Sequence, residues 1–452
     1  MDFNVILYPG TAVRLKAANK PNKTNMGFRN IFPFILPFII TLIEYYFFTG
    51  VQTIIKDFTP QRKFTIQIVY WVISGITIFV FTFSLFWPIQ DWPSFFRAYV
   101  VSILFVLFVS KLIGCVFLLI DDVMRIFRWG FQLVTTFNEP EKREGISRLK
   151  FMAYLSATFF TIPFVSLFYG AVWGVFRYKT HTVKLNFPNL PEAFNGLKIV
   201  QISDIHTGSF ADDTTHLSNA FDKAMELKPD IIFFTGDLIN DNVRETDGFM
   251  HVYQKLKAPM GVYSILGNHD YGDYLEWPDL EAKKRNLEEL KKVHAQAGWR
   301  LLLNEHLPLE IKGQKIALIG IENWGGNLHF TKYGKMDQAY KGTQGYDFKI
   351  LLSHDPSHWN KQVKSEYGDV DLTLSGHTHG FQFGVEIPGF KWSPVQYVYP
   401  QWAGLYKHGK QFLYVNRGIG CVGREKVSIY KGRVGIWPEI TLIELNKGAI
   451  SS

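Results

Sequence analysis

Apolar and polar positions divide this chain into two unlike halves. Up to about residue 180, long runs of Phe, Ile, Leu and Val are broken only by short polar stretches. Four of these runs, approximately Ile31–Phe48, Ile66–Trp87, Ala98–Ile120 and Phe151–Phe176, can each cross a bilayer, which takes about 20 residues of helix. Soluble helical bundles rarely carry such runs four times over, and no small-residue cleavage site follows the first, so the pattern predicts four membrane helices and not a secretory signal. The expected organisation is an N-terminal segment over 1–30, a four-helix transmembrane region over 31–178, and a folded domain over 190–447.

Beyond Tyr178 the period shortens. Apolar strands of four to six residues alternate with polar loops: Leu197–Ile202, Asp230–Phe234, Gly261–Leu266, Phe348–Leu352 and Asp371–Leu374. Between them, Asp213–Leu227 and Leu280–Ala297 carry helical spacing. This rhythm predicts a layered α/β domain.

Composition agrees with that division. The 47% hydrophobic and 16% aromatic content is concentrated in the first half, whereas all 13 histidines lie at position 181 or later. Two cysteines, Cys115 and Cys421, exclude a disulfide framework and a cysteine-rich zinc site. The net charge of +8 forms no dense basic stripe, so no nucleic-acid partner is expected; much of the excess flanks the apolar runs, where Lys and Arg meet lipid head groups. Four spans place the N-terminus and the domain on the same side of a cell membrane. Arg14, Lys16, Lys20, Lys23, Arg29, Arg177, Lys179 and Lys184 flank the spans on that side; Lys56, Arg62, Lys63, Arg125, Arg128, Lys142, Arg143, Arg148 and Lys150 flank them on the other. That balance favours neither orientation, and a start at Met26 instead of Met1 would remove four of the first set. Glu44 and Lys111 lie within spans, where a charge is costly. Either they pair across the bundle, or Glu44 sits near an interface and Lys111 snorkels.

Each strand of the second half ends in residue types that bind metals. The five ends read Ser203-Asp204-Ile205-His206, Thr235-Gly236-Asp237, Gly267-Asn268-His269-Asp270, Ser353-His354-Asp355 and Ser375-Gly376-His377-Thr378-His379-Gly380. Ligands at the carboxyl ends of neighbouring strands converge on one crevice. Imidazole with oxygen ligands suits Mn²⁺, Zn²⁺ or Fe²⁺. Two such ions about 3.5–4 Å apart can clamp a phosphoryl group and activate water. A lone Gly-Asp or Asp-x-His is ordinary; five clusters in order at strand ends are not.

In this order the motifs resemble the calcineurin-like metallophosphoesterase superfamily, from roughly Leu197 onward. The resemblance implies a β-sandwich flanked by helices and two divalent metal ions. One metal would be held by Asp204, His206, Asp237 and His379, the other by Asp237, Asn268, His354 and His377, with Asp237 as the bridge. His269 would face the substrate and Asp270 would orient it. The opening Leu197–His206 and the ending Tyr414–Gly420 with Pro438-Glu439-Ile440 are similar to the membrane-associated branch of YkuE-type phosphoesterases and UDP-2,3-diacylglucosamine pyrophosphatases. The expected function is hydrolysis of a phosphomonoester, phosphodiester or pyrophosphate of a lipid or lipid-linked substrate, such as a UDP-diacylglucosamine-type lipid A precursor. A sensor or scaffold that keeps an unused metal site is the alternative; transport has only Glu44 and Lys111 behind it. Two further readings stay open. Phe390, Trp392, Val395, Tyr397, Tyr399 and Trp402 form either a membrane or acyl-binding surface or a hairpin packed on its own domain. Arg417 either steadies a substrate phosphate or forms a structural ion pair.

Overall fold

The computed structural model describes residues 26–87, 92, 96–134, 148–210, 213–326, 331–422 and 431–450. The basic residues of 1–25, the alternative start at Met1, and Lys142 and Arg143 lie outside them. The chain divides into two compact units, one carrying the four long helices up to Val172 and the other beginning at Trp173.

The helical unit contains α1 (Met26–Ile54), α2 (Pro60–Phe83), α3 (Ser102–Val134) and α4 (Arg148–Val172). Each is long and apolar enough to span a membrane. Observed ends differ from the expected ones because polar flanks such as Thr49–Ile54 and Arg125–Arg128 continue the helix beyond the apolar run. Phe38, Phe64, Phe79, Ile126 and Phe127 are exposed, a surface suited to lipid tails and not to water. Between the helices lies a polar knot. Lys111 on α3 places Nζ 2.6 Å from Oε2 of Glu44 on α1, both side chains buried. Tyr70 and Ser74 on α2 donate hydroxyls to the same carboxylate, the tyrosine at 3.0 Å, and the ammonium sits 4.5 Å above the Tyr70 ring. The cross-bundle pairing is therefore the arrangement adopted, and neither residue snorkels; at this depth a partner offsets the desolvation that each charge suffers alone.

The described residues of the second unit form fourteen strands: β1 (Lys179–Phe187), β2 (Leu197–Ile202), β3 (Ile231–Phe234), β4 (Val262–Ser264), β5 (Trp299–Leu301), β6 (Glu305–Ile311), β7 (Gln314–Gly320), β8 (Lys349–Leu352), β9 (Leu372–Ser375), β10 (Val385–Ile387), β11 (Phe390–Trp392), β12 (Gly404–His408), β13 (Gln411–Val415) and β14 (Glu439–Lys447). Two six-stranded sheets run β1-β14-β2-β3-β4-β5 and β12-β13-β9-β8-β7-β6, with β10 and β11 forming a separate hairpin. The expected domain start at 190 falls inside this unit, because β1 pairs with β14 over nine residues, from Lys179↔Glu439 to Phe187↔Lys447.

Alternation along the strands builds three layers of core. Ile199, Ile231, Phe233, Ile443 and Leu445 from one sheet meet Ile316, Leu318, Ile350, Leu372 and Phe412 from the other. The opposite face of the first sheet, with Val200, Ile202, Ile232 and Phe234, is covered by α5 (Thr214–Glu226), the single-turn α6 (Met250–Tyr253) and α7 (Leu280–Gln296). Ala317, Ile319, Leu351, Leu413 and Val415 pack outward from the second sheet against Trp359 and Val363. Each such side chain contributes about 1.5–3 kcal/mol on burial. Helices α5 and α7 begin where Asp213 and Asp279 cap them through Thr215 N (2.8 Å) and Ala282 N (2.6 Å). The result is a β-sandwich flanked by helices, with parallel β2, β3 and β4 beside parallel β8 and β9, so that all five expected clusters leave the same edge of the two sheets.

Candidate metal centre

Strand ends deliver the candidate ligands and strained turns aim them. Asp204 and His206 follow β2, Asp237 follows β3, Asn268 and His269 follow β4, His354 follows β8, and His377 and His379 follow β9. Asp204, His206, Asp237, His377 and His379 all sit in the left-handed region, with φ of 52°, 46°, 60°, 74° and 50°. Each costs on the order of 1 kcal/mol for a residue with a Cβ, and such strain persists where the surroundings over-determine it. Glycines make the approach possible: at Gly376 a Cβ would overlap Ser203 Oγ and Asp204 Oδ2, and at Gly236 (φ 97°) it would meet Gly267 and His354 Nδ1.

Three groups of donors result, Asp204–His206–His379, His206–Asp237–His269 and Asp237–His354–His377, the donor atoms of each within 4.8 Å of one another. Asp237 belongs to two of them: Oδ2 lies 3.0 Å from His354 Nε2 and 3.6 Å from His206 Nε2. His379 Nε2 is 3.1 Å from both Asp204 Oδ1 and His206 Nε2, and Asn268 Oδ1 is 2.7 Å from His377 Nδ1. Every ligand position expected from the sequence is thus gathered at one place. Whether these residues suit cations can be judged from their surroundings. His206 Nδ1 is buried without a hydrogen-bond partner, and the Asp204 and Asp237 carboxylates lie among the imidazoles of the three groups. Buried donors so arranged fit divalent cations.

The electrostatics point the same way. Burial pushes the pKa of His206, His377 and His379 down, which keeps those rings neutral with lone pairs available. Burial resists ionisation of Asp204 and Asp237, but His379 beside the first and His354 beside the second outweigh it and hold both carboxyls below the usual range. His354 shows the opposite balance: burial opposes its charge, yet Asp237 raises it to about 10.

Around these residues one expectation fails and one open reading is decided. Asp270 does not hold the His269 ring. Its buried carboxylate accepts from the backbone N–H groups of Asp237 (2.9 Å), Leu238 (2.8 Å), Ile239 (3.3 Å) and Gly267 (2.8 Å), tying the β3 and β4 loops together. Burial, then Asp237, pushes its pKa up to about 7. The His269 ring is oriented instead by the Asn240 carbonyl, 2.7 Å from Nδ1. Arg417, offered as a phosphate contact, is buried in an ion pair with Glu439 and Glu386, which occupies its guanidinium. Its alternative, a structural pair, is the arrangement found.

Other residues carried no motif. Arg433, fully buried, reaches His379 Nδ1 at 3.1 Å and the carbonyls of Arg417 (2.9 Å) and Gly418 (3.2 Å). Tyr274 accepts from Asn268 Nδ2 at 2.8 Å, so the Asn268 oxygen is turned towards His377; Tyr399 places its hydroxyl 2.8 Å from His377 Nε2. Asp355, next to His354 in sequence, has Oδ2 3.6 Å from His377 Nε2. The aromatic segment divides between the two readings: Val395, Tyr399 and Trp402 form a small core with Ala403 and Ile436, while Phe390 and Tyr397 are exposed.

Comparisons with known proteins agree with this architecture. A family model described as "Calcineurin-like phosphoesterase" matches residues 197–381, and one described as "Probable Calcineurin-like phosphoesterase, transmembrane domain" matches residues 28–175. The metallophosphoesterase YkuE of Bacillus subtilis is 30% identical over 308 residues, covering 65% of this chain and 96% of that protein. The phosphodiesterase YaeI of Escherichia coli is 27% identical over 305 residues (66% of this chain, 99% of that protein). The UDP-2,3-diacylglucosamine pyrophosphatase LpxG of Chlamydia trachomatis is 30% identical over 279 residues (52% and 82%).

Proposed function

We propose that this chain, which belongs to the calcineurin-like phosphoesterase family and to its membrane branch, is a membrane-anchored hydrolase of phosphate ester or pyrophosphate bonds in a lipid or lipid-linked substrate. The observation that carries the reading is the position of Asp237 between the His206 and His354 imidazoles, as a carboxylate shared by two ligand sets requires. Asp204, His206, Asp237 and His379 would hold one divalent cation, and Asp237, Asn268, His354 and His377 the second; when bound, the pair neutralises phosphoryl oxygens and activates water. Mn²⁺, Zn²⁺ and Fe²⁺ all match this donor set.

The chain's own residues then position and move protons. Because His269 Nδ1 donates to the Asn240 carbonyl, Nε2 is the atom left to meet a substrate, accepting when the ring is neutral and donating to a leaving oxygen when it is protonated. Asp270 keeps Asp237 and Gly267 in register through their backbone N–H groups. Arg417 acts in the framework, fastening β14 to the hairpin through Glu439 and Glu386, and does not contact substrate. The kinship with LpxG supports a UDP-diacylglucosamine-type lipid A precursor as the candidate substrate, and the kinship with YaeI supports a simpler phosphodiester. Purified full-length protein with Mn²⁺ should hydrolyse bis-p-nitrophenyl phosphate, and Asp237→Asn should abolish turnover. Turnover retained in that variant would sink the mechanism. Tight metal binding by the wild type with no turnover on any of these phosphoesters would favour a sensor or scaffold.

A further inference from the structure

The segment that follows the last ligand motif and leads into the β10–β11 hairpin breaks two ordinary rules at once. Phe381, two residues after His379, adopts φ 57° and is 62% exposed, although a bulky aromatic residue avoids both conditions. Phe383, Val385, Ile387, Phe390, Tyr397 and Val398 are exposed as well, so residues 381–398 present a run of apolar side chains to solvent. The tip reads Ile387-Pro388-Gly389-Phe390, with Ile387 paired to Phe390 across a turn that Gly389 permits at φ 79°. A two-stranded hairpin of three pairs is marginal alone, yet its base is fastened to the domain. Glu386 pairs with Arg417, Ser393 Oγ donates to the Gly380 carbonyl at 2.8 Å, and Gly384 N donates to Val434 O at 2.9 Å. Tyr399, on the buried side of the same segment, reaches His377. The exposed rim is therefore held rigidly beside the metal centre and does not belong to any core layer.

We infer that this rim, Phe381, Phe383, Ile387, Phe390, Tyr397 and Val398, docks into the head-group region of the bilayer that the same chain spans. Two features of the chain identify the occupant as lipid. The chain already carries four membrane-spanning helices, so a lipid surface is its constant neighbour. The rim also has the composition of an interfacial anchor, Phe, Tyr and branched aliphatics, which places rings at the acyl boundary. Docking would present the Asp237 centre to lipid-borne phosphates. It rests on the membrane assignment and not on the lipid-substrate reading, so the two can fail separately.

The test uses the full chain, one copy per lipid nanodisc, with a single cysteine introduced by Ile387→Cys or, in a second protein, Tyr397→Cys, and labelled with an environment-sensitive fluorophore. The native Cys115 and Cys421 are buried. A reference label at Lys284→Cys lies on exposed α7. An interfacial segment sits about 5–10 Å into the head-group boundary. Labels at 387 and 397 should therefore emit to the blue of the reference and be quenched by shallow-doxyl lipid more than by deep-doxyl lipid. Emission matching the reference at both positions, or a blue shift without lipid quenching, which would mean burial against protein, overturns the inference. Quenching at both positions in a protein that leaves every lipid phosphate intact would keep the docking surface and remove the lipid-substrate reading instead.

Discussion

Replacing Asp270 by Asn tests whether the site is held together from behind its ligands. The carboxylate is fully buried and accepts four backbone N–H bonds, two per oxygen: Leu238 and Ile239 on Oδ1, Asp237 and Gly267 on Oδ2. An asparagine keeps one acceptor. Whichever way the amide turns, two N–H donors then face an NH₂ group, and two bonds to a charged acceptor are lost at about 1.5–3 kcal/mol each, roughly 3–6 kcal/mol together. For a domain of this size that is a fall in melting temperature on the order of 10 °C. The measurement belongs at pH 8, above the value of about 7 to which burial and Asp237 raise this carboxyl, so that the wild type is ionised. Because the freed loops carry Asp237 and Asn268, Mn²⁺ affinity should fall as well, by roughly the 10–100-fold typical of lost supporting contacts. Thermal unfolding followed by tryptophan fluorescence and metal titration by calorimetry read the two effects. A variant that melts within about 2 °C of the wild type and binds Mn²⁺ as tightly would refute the assignment of Asp270 as the tie between the two loops.

Two other outcomes follow from buried charge. Glu44→Gln alone leaves the Lys111 ammonium without its counter-ion and should destabilise the helical unit by about 3–5 kcal/mol, whereas Glu44→Met with Lys111→Met should recover most of that loss; equal losses in the single and double variants, measured by SDS-induced unfolding in detergent micelles, would contradict the pairing. His294 and His358 are fully buried, and burial lowers them from 6.5 to about 3 and about 4. Both are neutral in folded and unfolded chains above pH 6.5; below it the unfolded chain takes up protons first, so stability is lost as pH falls from 6.5 towards those values. At pH 5 the two together should have cost about 4 kcal/mol, from 1.5 units each at 1.36 kcal/mol per unit. In melting curves between pH 7.5 and 5, His294→Leu should remove about half of the corresponding slope, and an unchanged slope would count against the assignment.

What the sequence revealed follows from where the information is local. The candidate metal ligands sit in short motifs flanked by glycine because a left-handed turn and a close backbone approach must be encoded within two or three residues, as in Thr235-Gly236-Asp237 and Gly376-His377. The four spans were legible because a bilayer imposes length and composition on each helix separately. The partners of those ligands were not. Asn240, Tyr274, Tyr399 and Arg433 act through a carbonyl, two hydroxyls and a guanidinium that resemble any others until the chain folds. Asp270 misled for the same reason, and Arg417 stayed open between two readings. Each stands beside a motif; proximity in sequence suggested for Asp270 a role that its set of backbone amides excludes, and could not choose for Arg417 between substrate and the distant carboxylate of Glu439. Glu44 and Lys111 were conspicuous as intramembrane charges, but their pairing required knowing that α1, α2 and α3 turn the same faces inward.

The place of β14 between β1 and β2 has a consequence for biosynthesis. Its neighbours lie early in the domain, at residues 179–187 and 197–202, and hydrogen-bond to one another only through it. While a ribosome is still reading the intervening codons, both strands present bare edges, so the first sheet stays open long after the four apolar helices have been translated. A message cut short anywhere before residue 439 would then yield a membrane-held fragment with two sticky strand edges, the kind of product that quality-control proteases remove.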